Sequence, residues 1–584
     1  MENKDGNKVI AIHQFEDLYK VSLGIEPPDI VIDNAVLFNS VTGELLPDSS
    51  IWIKGGLIAY AGQAIEANVG PNTSVIDVDS QVVLPGLIEA HTHVMSLVGL
   101  EEFTRFVIPS GTTTVITETI ELATICGEKG FDCFIQGMRA QPIRFYYTIS
   151  PLCGLTPDQE INAPSLEKYK RYLEDPLCLG LGEIYWANLL LQNEQGERVR
   201  QLAALTLSCG KRVQGHTAGA SIKKLQAYTA LGASSCHEPI TEEEVLSRLR
   251  LGYWVMIRQG AVRKELDQVA GVFKRDVDKR RLIISTDSMD PHNFLNEGSL
   301  DGAVRRALAL GIRPELVYQS VTINVAEHFK LDHFVGSLLP GRAADLVIIP
   351  SVKEYEPQLI MCGGEVIYQE GNSRVLPAKV EYPEEMFQTV MVSPQQIKLP
   401  GFRGRVRAIE LITRLVTREI IIDLDDPQVA HDTLAILAIE RTGRGGAFAG
   451  YLKRFGLREG AFGSTMCWDT TDLIVVGKDE TSITSVVQRL QEMNGGAVLA
   501  KGQKIIAEYP APLCGLLSVE SMEKAADRIK DLENKLQGLG VEWENPLLTL
   551  VTLGTAAIPH MRITHQGYVR LKDRALLGIN PDDD

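Results

Sequence analysis

The segment Val82–His93, VVLPGLIEAHTH, decides how this chain of 584 residues is organised. It reads as a buried apolar strand that ends at two histidines, His91 and His93. Residues two apart on a strand point to the same side, so both imidazoles can reach one metal ion. In parallel barrels the active site lies at the carboxyl ends of the strands, where this pair would stand. Two histidines alone are a weak signal, so further ligands must follow at later strand ends.

Alternating strands and helices follow this segment. Runs typical of strands, such as RFYYTIS, CLGLGEI and RLIISTD, are separated by helical stretches such as LEKYKRYLED and ASIKKLQAYTALG. The alternation predicts an α/β fold with a (β/α)₈ TIM-like barrel over residues 85–334. A doubly wound open sheet is the alternative. It is disfavoured because no Gly-rich dinucleotide fingerprint follows an early strand.

Two further regions flank the predicted barrel. Short runs rich in Val and Ile, broken by Asn, Gly and Asp, occur before it and again from Gly336. The simplest interpretation is one discontinuous β-sandwich domain formed by residues 1–84 plus 335–384. Residues 385–584 mix strands such as TDLIVVG with amphipathic helices such as SMEKAADRIKDLENKLQGLG, which predicts a C-terminal α/β domain.

Composition limits the classes of partner. Asp and Glu total 75 against 58 Lys and Arg, a net charge of −17, which disfavours nucleic acid and anionic membranes. The start MENKDGNK lacks the apolar core of a signal peptide, and no apolar run is long enough to cross a bilayer. Nine cysteines without CxxC spacing indicate reduced thiols. We therefore expect a cytoplasmic protein. A homo-oligomer, most commonly a dimer, is expected from the general frequency of such assemblies alone.

Five of the predicted barrel strands end in residues that can bind a cation. The first ends in His91 and His93, CLGLG in Glu183, RVQG in His216, ASSC in His237 and Glu238, and LIIST in Asp287. Each alone has a plain structural interpretation, such as a satisfied polar histidine or a helix N-cap. In a barrel, however, all of these ends converge on one mouth. The joint set predicts a site for divalent cations, of which two can share a bridging carboxylate.

Longer motifs around these residues resemble the amidohydrolase superfamily and, within it, the adenine deaminase family. The superfamily resemblance rests on PGLIEAHTH, Glu183, GHTAG around His216, His237, STD ending at Asp287, and PGRAADLVI at 340–348. The family resemblance covers nearly the whole chain. It includes CHE at 236–238, RLRLGYWVMIRQG at 248–260, DSMDPHNFLNEGSLDGAVRRALALG at 287–311 and the C-terminal GGAVLAKGQKIIAEYPAPLCGLLS.

The resemblance implies hydrolytic deamination of adenine to hypoxanthine and ammonia by a metal-activated hydroxide that attacks C6 of the purine. It implies two divalent ions, Mn²⁺ or Fe²⁺, with Zn²⁺ also compatible. The implied ligands are His91, His93, Glu183 and Asp287 for one ion, and Glu183, His216 and His237 for the other.

The resemblance also suggests proton carriers. Asp287 would take the proton of water and pass it towards the leaving ammonia. Glu238 is the candidate that protonates or hydrogen-bonds the ring nitrogen, and a structural carboxylate at the barrel rim is the alternative for it.

Three segments depart from the family pattern. The acid of the usual His-x-His-x-Glu-Ser is Met95 here, and the usual Asp-Pro-His-Glu is the segment 118–121, with Ile120 in place of the histidine. The usual His-Asp-Ser-His is the segment 468–471, with Trp468 and Thr471 in place of the histidines. Methionine and isoleucine cannot replace carboxylate or imidazole as ligands or proton carriers. A hydrolase of another aminopurine or cyclic amide, or a catalytically silent binding homologue, therefore stays open.

Overall fold

The computed structural model describes residues 12–94, 97–393, 396–401, 403–558 and 560–582. Helix α1 (Ile12–Ser22) precedes five strands: β1 (Ile30–Asn39), β2 (Glu44–Lys54), β3 (Leu57–Gln63), β4 (Ser74–Asp77) and β5 (Val82–Pro85). Strand β1 lies at the centre of this group, antiparallel to β2 and parallel to β4 and β5. Gly55 and Gly56 join β2 to β3 with φ of 58° and 78°, the left-handed conformations that a tight hairpin turn requires.

Eight parallel strands follow and form the barrel. They are β6 (Leu87–Thr92), β7 (Thr112–Thr117), β8 (Arg144–Ile149), β9 (Cys178–Tyr185), β10 (Arg212–His216), β11 (Ser235–Cys236), β12 (Trp254–Arg258) and β13 (Leu282–Ser285). Strands β6 to β10 pair in one sheet and β11 to β13 in another. Isolated parallel bridges, Thr92 to Asp287 and Val213 to Ala233, join the two sheets at both seams. The predicted barrel is thereby confirmed.

Helices cover the outside of the barrel. They are α2 (Leu100–Val107), α3 (Ile120–Arg139), α4 (Leu166–Glu174), α5 (Trp186–Leu189), α6 (Glu194–Ser208), α7 (Ile222–Ala230), α8 (Glu242–Arg250), α9 (Leu266–Val269), α10 (Pro291–Glu297), α11 (Leu300–Ala309), α12 (Pro314–Ser320) and α13 (Ile323–Phe329). Every residue of β6, β7 and β13 is buried, as expected for parallel strands that are covered on both faces. Within the described residues, no helix has both the length and the apolar character that a bilayer span requires.

The chain after the barrel returns to the first sheet. Four strands do this: β14 (Leu346–Ile349), β15 (Leu359–Cys362), β16 (Glu365–Gln369) and β17 (Asn372–Ser373). Strand β14 pairs antiparallel with β5, so strands from both sides of the barrel form one nine-stranded sheet. On this pairing we propose that residues 1–84 and 335–384 belong to one discontinuous domain.

The C-terminal region, for which we propose the limits 385–584, is built on an eight-stranded sheet. Its strands are β18 (Arg405–Leu411), β19 (Thr417–Asp423), β20 (Thr433–Glu440), β21 (Ala447–Lys453), β22 (Ala461–Ser464), β23 (Asp472–Gly477), β24 (Gly496–Lys501) and β25 (Lys504–Pro510), and its helices are α14 (Pro427–His431), α15 (Glu480–Glu492), α16 (Met522–Gly538) and α17 (Pro546–Val551). A small sheet of β26 (Met561–Thr564), β27 (Gly567–Arg570) and β28 (Ala575–Leu577) completes it. Helix α15 buries Ile483, Val486, Val487 and Leu490, the spacing of an amphipathic helix.

An ion-pair triad fastens this region to the barrel. His565, in the turn after β26, lies between Asp472 at the start of β23 and Asp158 in the loop after β8. Its Nδ1 is 2.7 Å from Asp472 Oδ1 and its Nε2 is 2.9 Å from Asp158 Oδ2. Although burial lowers the pKa of His565, the two carboxylates raise it more, to about 10. The imidazolium therefore holds the two parts of the molecule together at neutral pH.

Replacing His565 should weaken this attachment in a pH-dependent way. A folded-state pKa above the unfolded one stabilises the fold fully below about pH 6.5, and the stabilisation disappears as the pH rises through about 10. At about pH 6, H565Q should melt roughly 5 °C below the wild type. The gap should close towards about pH 10 in thermal melts across this range. The exposed His431→Gln is the control, and a gap that does not change with pH would contradict the assignment.

Candidate metal centre

All six predicted ligands lie at the carboxyl ends of barrel strands. They are His91 at the end of β6 and His93 just after it, Glu183 in β9, His216 at the end of β10, His237 just after β11, and Asp287 just after β13. Their side chains form three overlapping groups whose ligand atoms lie within 4.8 Å of one another. The groups are His91, His93 and Glu183; His91, His237 and Asp287; and Glu183, His216 and His237. The structure thus brings all six residues together.

Glu183 lies at the middle of the cluster. Its Oε2 is 3.5 Å from His93 Nε2, and its Oε1 is 3.2 Å from His237 Nε2. The same Oε1 contacts His216 Nδ1. Although burial raises the pKa of Glu183, His216 and His237 lower it more, and the net shift is well below the ordinary value. This carboxylate is therefore placed to touch both ligand sets.

Asp287 stands at the seam of the barrel. Its Oδ1 is 3.3 Å from His91 Nε2 and 3.8 Å from His93 Nε2. The resemblance grouped Asp287 with both of these histidines and with Glu183, whereas the structure groups it most tightly with His91 and His237. The His91 and His237 rings stack with their centroids 4.2 Å apart, so Asp287 lies beside both ligand sets.

The donor set fits a divalent cation. Among the described residues, His91 Nε2 is buried without a hydrogen bond, because its 3.3 Å approach to Asp287 Oδ1 lacks hydrogen-bond geometry, and this state is uncommon for a polar atom in a protein interior. Burial and the neighbouring His237 lower the pKa of His91 to about 4, so the ring is neutral at pH 7, the form that binds metals. Imidazole nitrogens and carboxylate oxygens are ligands that Mn, Fe and Zn share.

Two further carboxylates orient the first pair of histidines. Glu121 Oε1 is 2.7 Å from His93 Nδ1. Glu118 Oε1 is 3.6 Å from His91 Nδ1, and its Oε2 accepts a hydrogen bond from the backbone N–H of Glu183. The segment 118–121 has Ile120 where the family usually has a histidine. Its two glutamates are nevertheless buried against the candidate ligands, and such contacts fix ring orientation and tautomer.

Arg258 was not identified as a site residue from the sequence. It is buried at the end of β12, where its Nη1 donates to Glu238 Oε1 at 2.8 Å and to Asp287 Oδ2 at 3.0 Å. Its Nη2 and Nε donate to both oxygens of Glu265, at 2.8 and 3.1 Å. The sequence did contain a signal for it: WVMIR is an apolar strand that ends in an ionisable residue, as do the strands that end in the candidate ligands.

Glu238 lies in the same cavity wall as Arg258. Its Oε1 is 3.2 Å from His237 Nε2 and 3.5 Å from His216 Nδ1. Although burial raises the pKa of Glu238, Arg258 and the two imidazoles lower it more, to well below its usual range. The group is therefore a carboxylate at rest.

The cluster opens into a cavity of about 240 Å³. This is smaller than the cavities of about 300 Å³ or more that hold drug-sized ligands, and it suits a small ring system. The C-terminal region supplies part of the wall, including Leu415, Trp468 and Asp469.

Only some of the residues that depart from the family pattern line this cavity. Ile120 and Trp468 line it. Thr471 accepts a hydrogen bond from Arg444 at 2.8 Å instead, and Met95 lies outside the described residues. Two of the departures can therefore alter the shape of the site directly.

Comparisons with known proteins agree with this arrangement. Residues 82–367 match the amidohydrolase family, and residues 410–575 match the adenine deaminase C-terminal domain. The chain is 32% identical to an adenine deaminase of Moorella thermoacetica, over 95% of this chain and 96% of the relative. It is 30% identical to an adenine deaminase of Archaeoglobus fulgidus over 98% and 99% of the two chains, and 29% identical to one of Clostridium botulinum over 94% and 95%.

Neutralising Glu121 should weaken metal binding. The Glu121 carboxylate holds His93 Nδ1 at 2.7 Å, so E121Q should lower the affinity for Mn²⁺ about 10- to 100-fold by loosening the ring. Chelator competition measures this without any assay of turnover. The control is Glu128→Gln on the same helix α3, where Glu128 Oε2 pairs with Lys168 Nζ at 2.8 Å near the surface. Equal affinities for E121Q and the wild type would refute the role.

Proposed function

Because this chain belongs to the adenine deaminase family, we propose that it hydrolyses adenine to hypoxanthine and ammonia. The observation that carries the proposal is the convergence of six imidazole and carboxylate side chains beside a cavity of about 240 Å³. Family membership supplies the reaction class. The surviving ligand set supports activity, since a homologue that had lost catalysis would be free to lose these residues.

Two divalent ions, Mn²⁺ or Fe²⁺, are the proposed cofactors. One would be held by His91, His93, Glu183 and Asp287, and the other by Glu183, His216 and His237, with Glu183 shared. When bound, such cations lower the pKa of water and so make a nucleophile available near neutral pH.

Asp287 is the proposed proton carrier. Its Oδ1 faces His91 and His93, while its Oδ2 accepts a hydrogen bond from Arg258 at 3.0 Å. We assign the transferred proton to Oδ2, because Oδ1 is the oxygen that lies nearer to His91 and His93. Arg258 keeps the carboxylate oriented and, by lowering its pKa together with His91, favours release of the proton towards the leaving ammonia. Burial opposes this pKa shift but does not reverse it.

Glu238 is the group proposed for the ring nitrogen. Its Oε1 is occupied by Arg258 and the two imidazoles, whereas its Oε2 makes no hydrogen bond to any described residue. Because this oxygen is free, it can accept a hydrogen bond from a protonated nitrogen next to the reacting carbon, or carry the proton that this nitrogen receives. Because Glu238 rests as a carboxylate, it has to collect that proton before it can donate it.

The proposed setting is the cytoplasm, with a small molecule as the partner. All nine cysteines are free, as in a reducing compartment. A homodimer is proposed on the general frequency of such assemblies, and no nucleic-acid or membrane partner is proposed for a chain with a net charge of −17.

A second candidate function is hydrolysis of another aminopurine or a cyclic amide. Ile120 and Trp468 favour it, because they line the cavity where the family usually has histidines. Relative kcat/KM values over a panel of such compounds decide between the two reactions. Tight binding of a panel member without turnover would instead point to a silent binding homologue.

The metal-loaded wild type should release ammonia from adenine, and D287N should lose at least about 10³-fold in kcat, because an amide cannot carry the proton. The control is Asp290→Asn, since Asp290 caps helix α10 through Asn293 N at 2.8 Å and Asn caps a helix equally well. Ammonia release is followed with Mn²⁺, Fe²⁺ and Zn²⁺ in turn. No turnover with any of them would remove the proposed function, and full activity of D287N would remove Asp287 from proton transfer.

A further inference from the structure

Asp469 places a carboxylate of the C-terminal region in a site that is otherwise built from the barrel. It lies between β22 and β23, is 6% exposed and lines the same cavity as the candidate ligands. The other acidic residues of the cavity wall all belong to the barrel segment: Glu118, Glu121, Glu183, Glu238, Glu244 and Asp287. None of the proposed catalytic steps uses Asp469, so catalysis does not explain why a carboxylate occupies this position in the cavity wall.

The two oxygens of Asp469 have different surroundings. Oδ2 accepts hydrogen bonds from Tyr185 Oη at 2.9 Å, from the backbone N–H of Ala556 at 3.3 Å, and from the hydroxyl of Thr555. Within the described residues, no donor reaches Oδ1. A ligand that fills the cavity would cut Oδ1 off from water, and a carboxylate oxygen so covered is costly unless the ligand supplies a donor. Three donors on Oδ2 also fix the direction in which Oδ1 points.

We propose that Asp469 makes this enzyme selective for the free purine base, by accepting a hydrogen bond from the N–H of the five-membered ring at Oδ1. This inference rests on the proposed function, because it takes adenine as the molecule in the cavity. Asp469 is then a specificity-determining residue that touches the substrate and takes no part in the proton transfers.

The chemistry of adenine identifies which N–H is meant. Neutral adenine has donors at the exocyclic amine and at one nitrogen of the five-membered ring. The amine is on the reacting carbon and must face the metal cluster, so the ring N–H is the donor left for a second wall. In a nucleoside a carbon–nitrogen bond replaces this N–H, and the bound ligand would cover Oδ1 without giving it a donor. A site built to receive a substrate N–H rejects analogues that lack it strongly.

The Asp469→Asn variant gives a sharp test, because its orientation is dictated by the surroundings. The position of Oδ2 receives three donors, so the amide oxygen of Asn must occupy it. The amide nitrogen then occupies the position of Oδ1 and turns an acceptor in the cavity wall into a donor. Two donors would face each other when adenine binds, whereas 9-methyladenine would not present that conflict.

The experiment compares adenine and 9-methyladenine by titration calorimetry on the metal-loaded protein, with kcat/KM measured in parallel. The wild type should bind adenine at least about 100-fold more tightly than 9-methyladenine. D469N should lose most of that preference while keeping its metal content. The matched control is Asp472→Asn, a buried carboxylate three residues further on that pairs with His565 outside the cavity. It should lower the melting temperature and leave the preference unchanged.

The outcomes separate this inference from the proposed function. A wild type that binds both compounds equally overturns the inference and needs no variant. A preference that persists in D469N also overturns it, since the discrimination would then be steric. Turnover of adenine in either case leaves the proposed function standing. A strong preference for adenine that D469N abolishes, in a protein without turnover, would support the inference and remove the function.

Discussion

Closure of the barrel between its first and last strands is the constraint on which the site depends. The backbone N–H of Asp287 donates to His91 O at 3.0 Å, and the backbone N–H of His93 donates to Asp287 O at 2.9 Å. Residues nearly two hundred positions apart thereby become neighbours. Asp287 adopts a φ of 63°, a left-handed backbone conformation that residues other than Gly rarely take. Such strain persists only where the surroundings enforce it, and it commonly marks functional positions.

The same closure concentrates negative charge in a buried place. Glu118, Glu121, Glu183, Glu238 and Asp287 all line one cavity, and uncompensated buried carboxylates are strongly unfavourable. Arg258 compensates two of them directly, and imidazoles contact the others. Divalent cations at the centre would supply the remaining positive charge. The electrostatics of the cluster and its ligand chemistry therefore point to the same occupants.

Much of this arrangement could be predicted from the sequence, and the reason is the regularity of parallel barrels. All strands of a parallel barrel have their carboxyl ends at the same mouth, so His216 and Asp287 could be placed there without knowing any contact. The roles of Glu118 and Arg258 could not be predicted in this way. They depend on which side chains approach each other across neighbouring strands, which an alternation of strands and helices does not specify. The position of Asp469 in the cavity wall is even harder to predict, since it depends on how the C-terminal region packs against the barrel.

The most direct test of the central claim is an anomalous diffraction map from crystals of the protein loaded with Mn²⁺. The account predicts two peaks at the mouth of the barrel, each within coordination distance of imidazole nitrogens of the cluster, with Glu183 contacting both. A map with no peak among His91, His93, His216 and His237, from protein that nevertheless carries bound manganese, would contradict it.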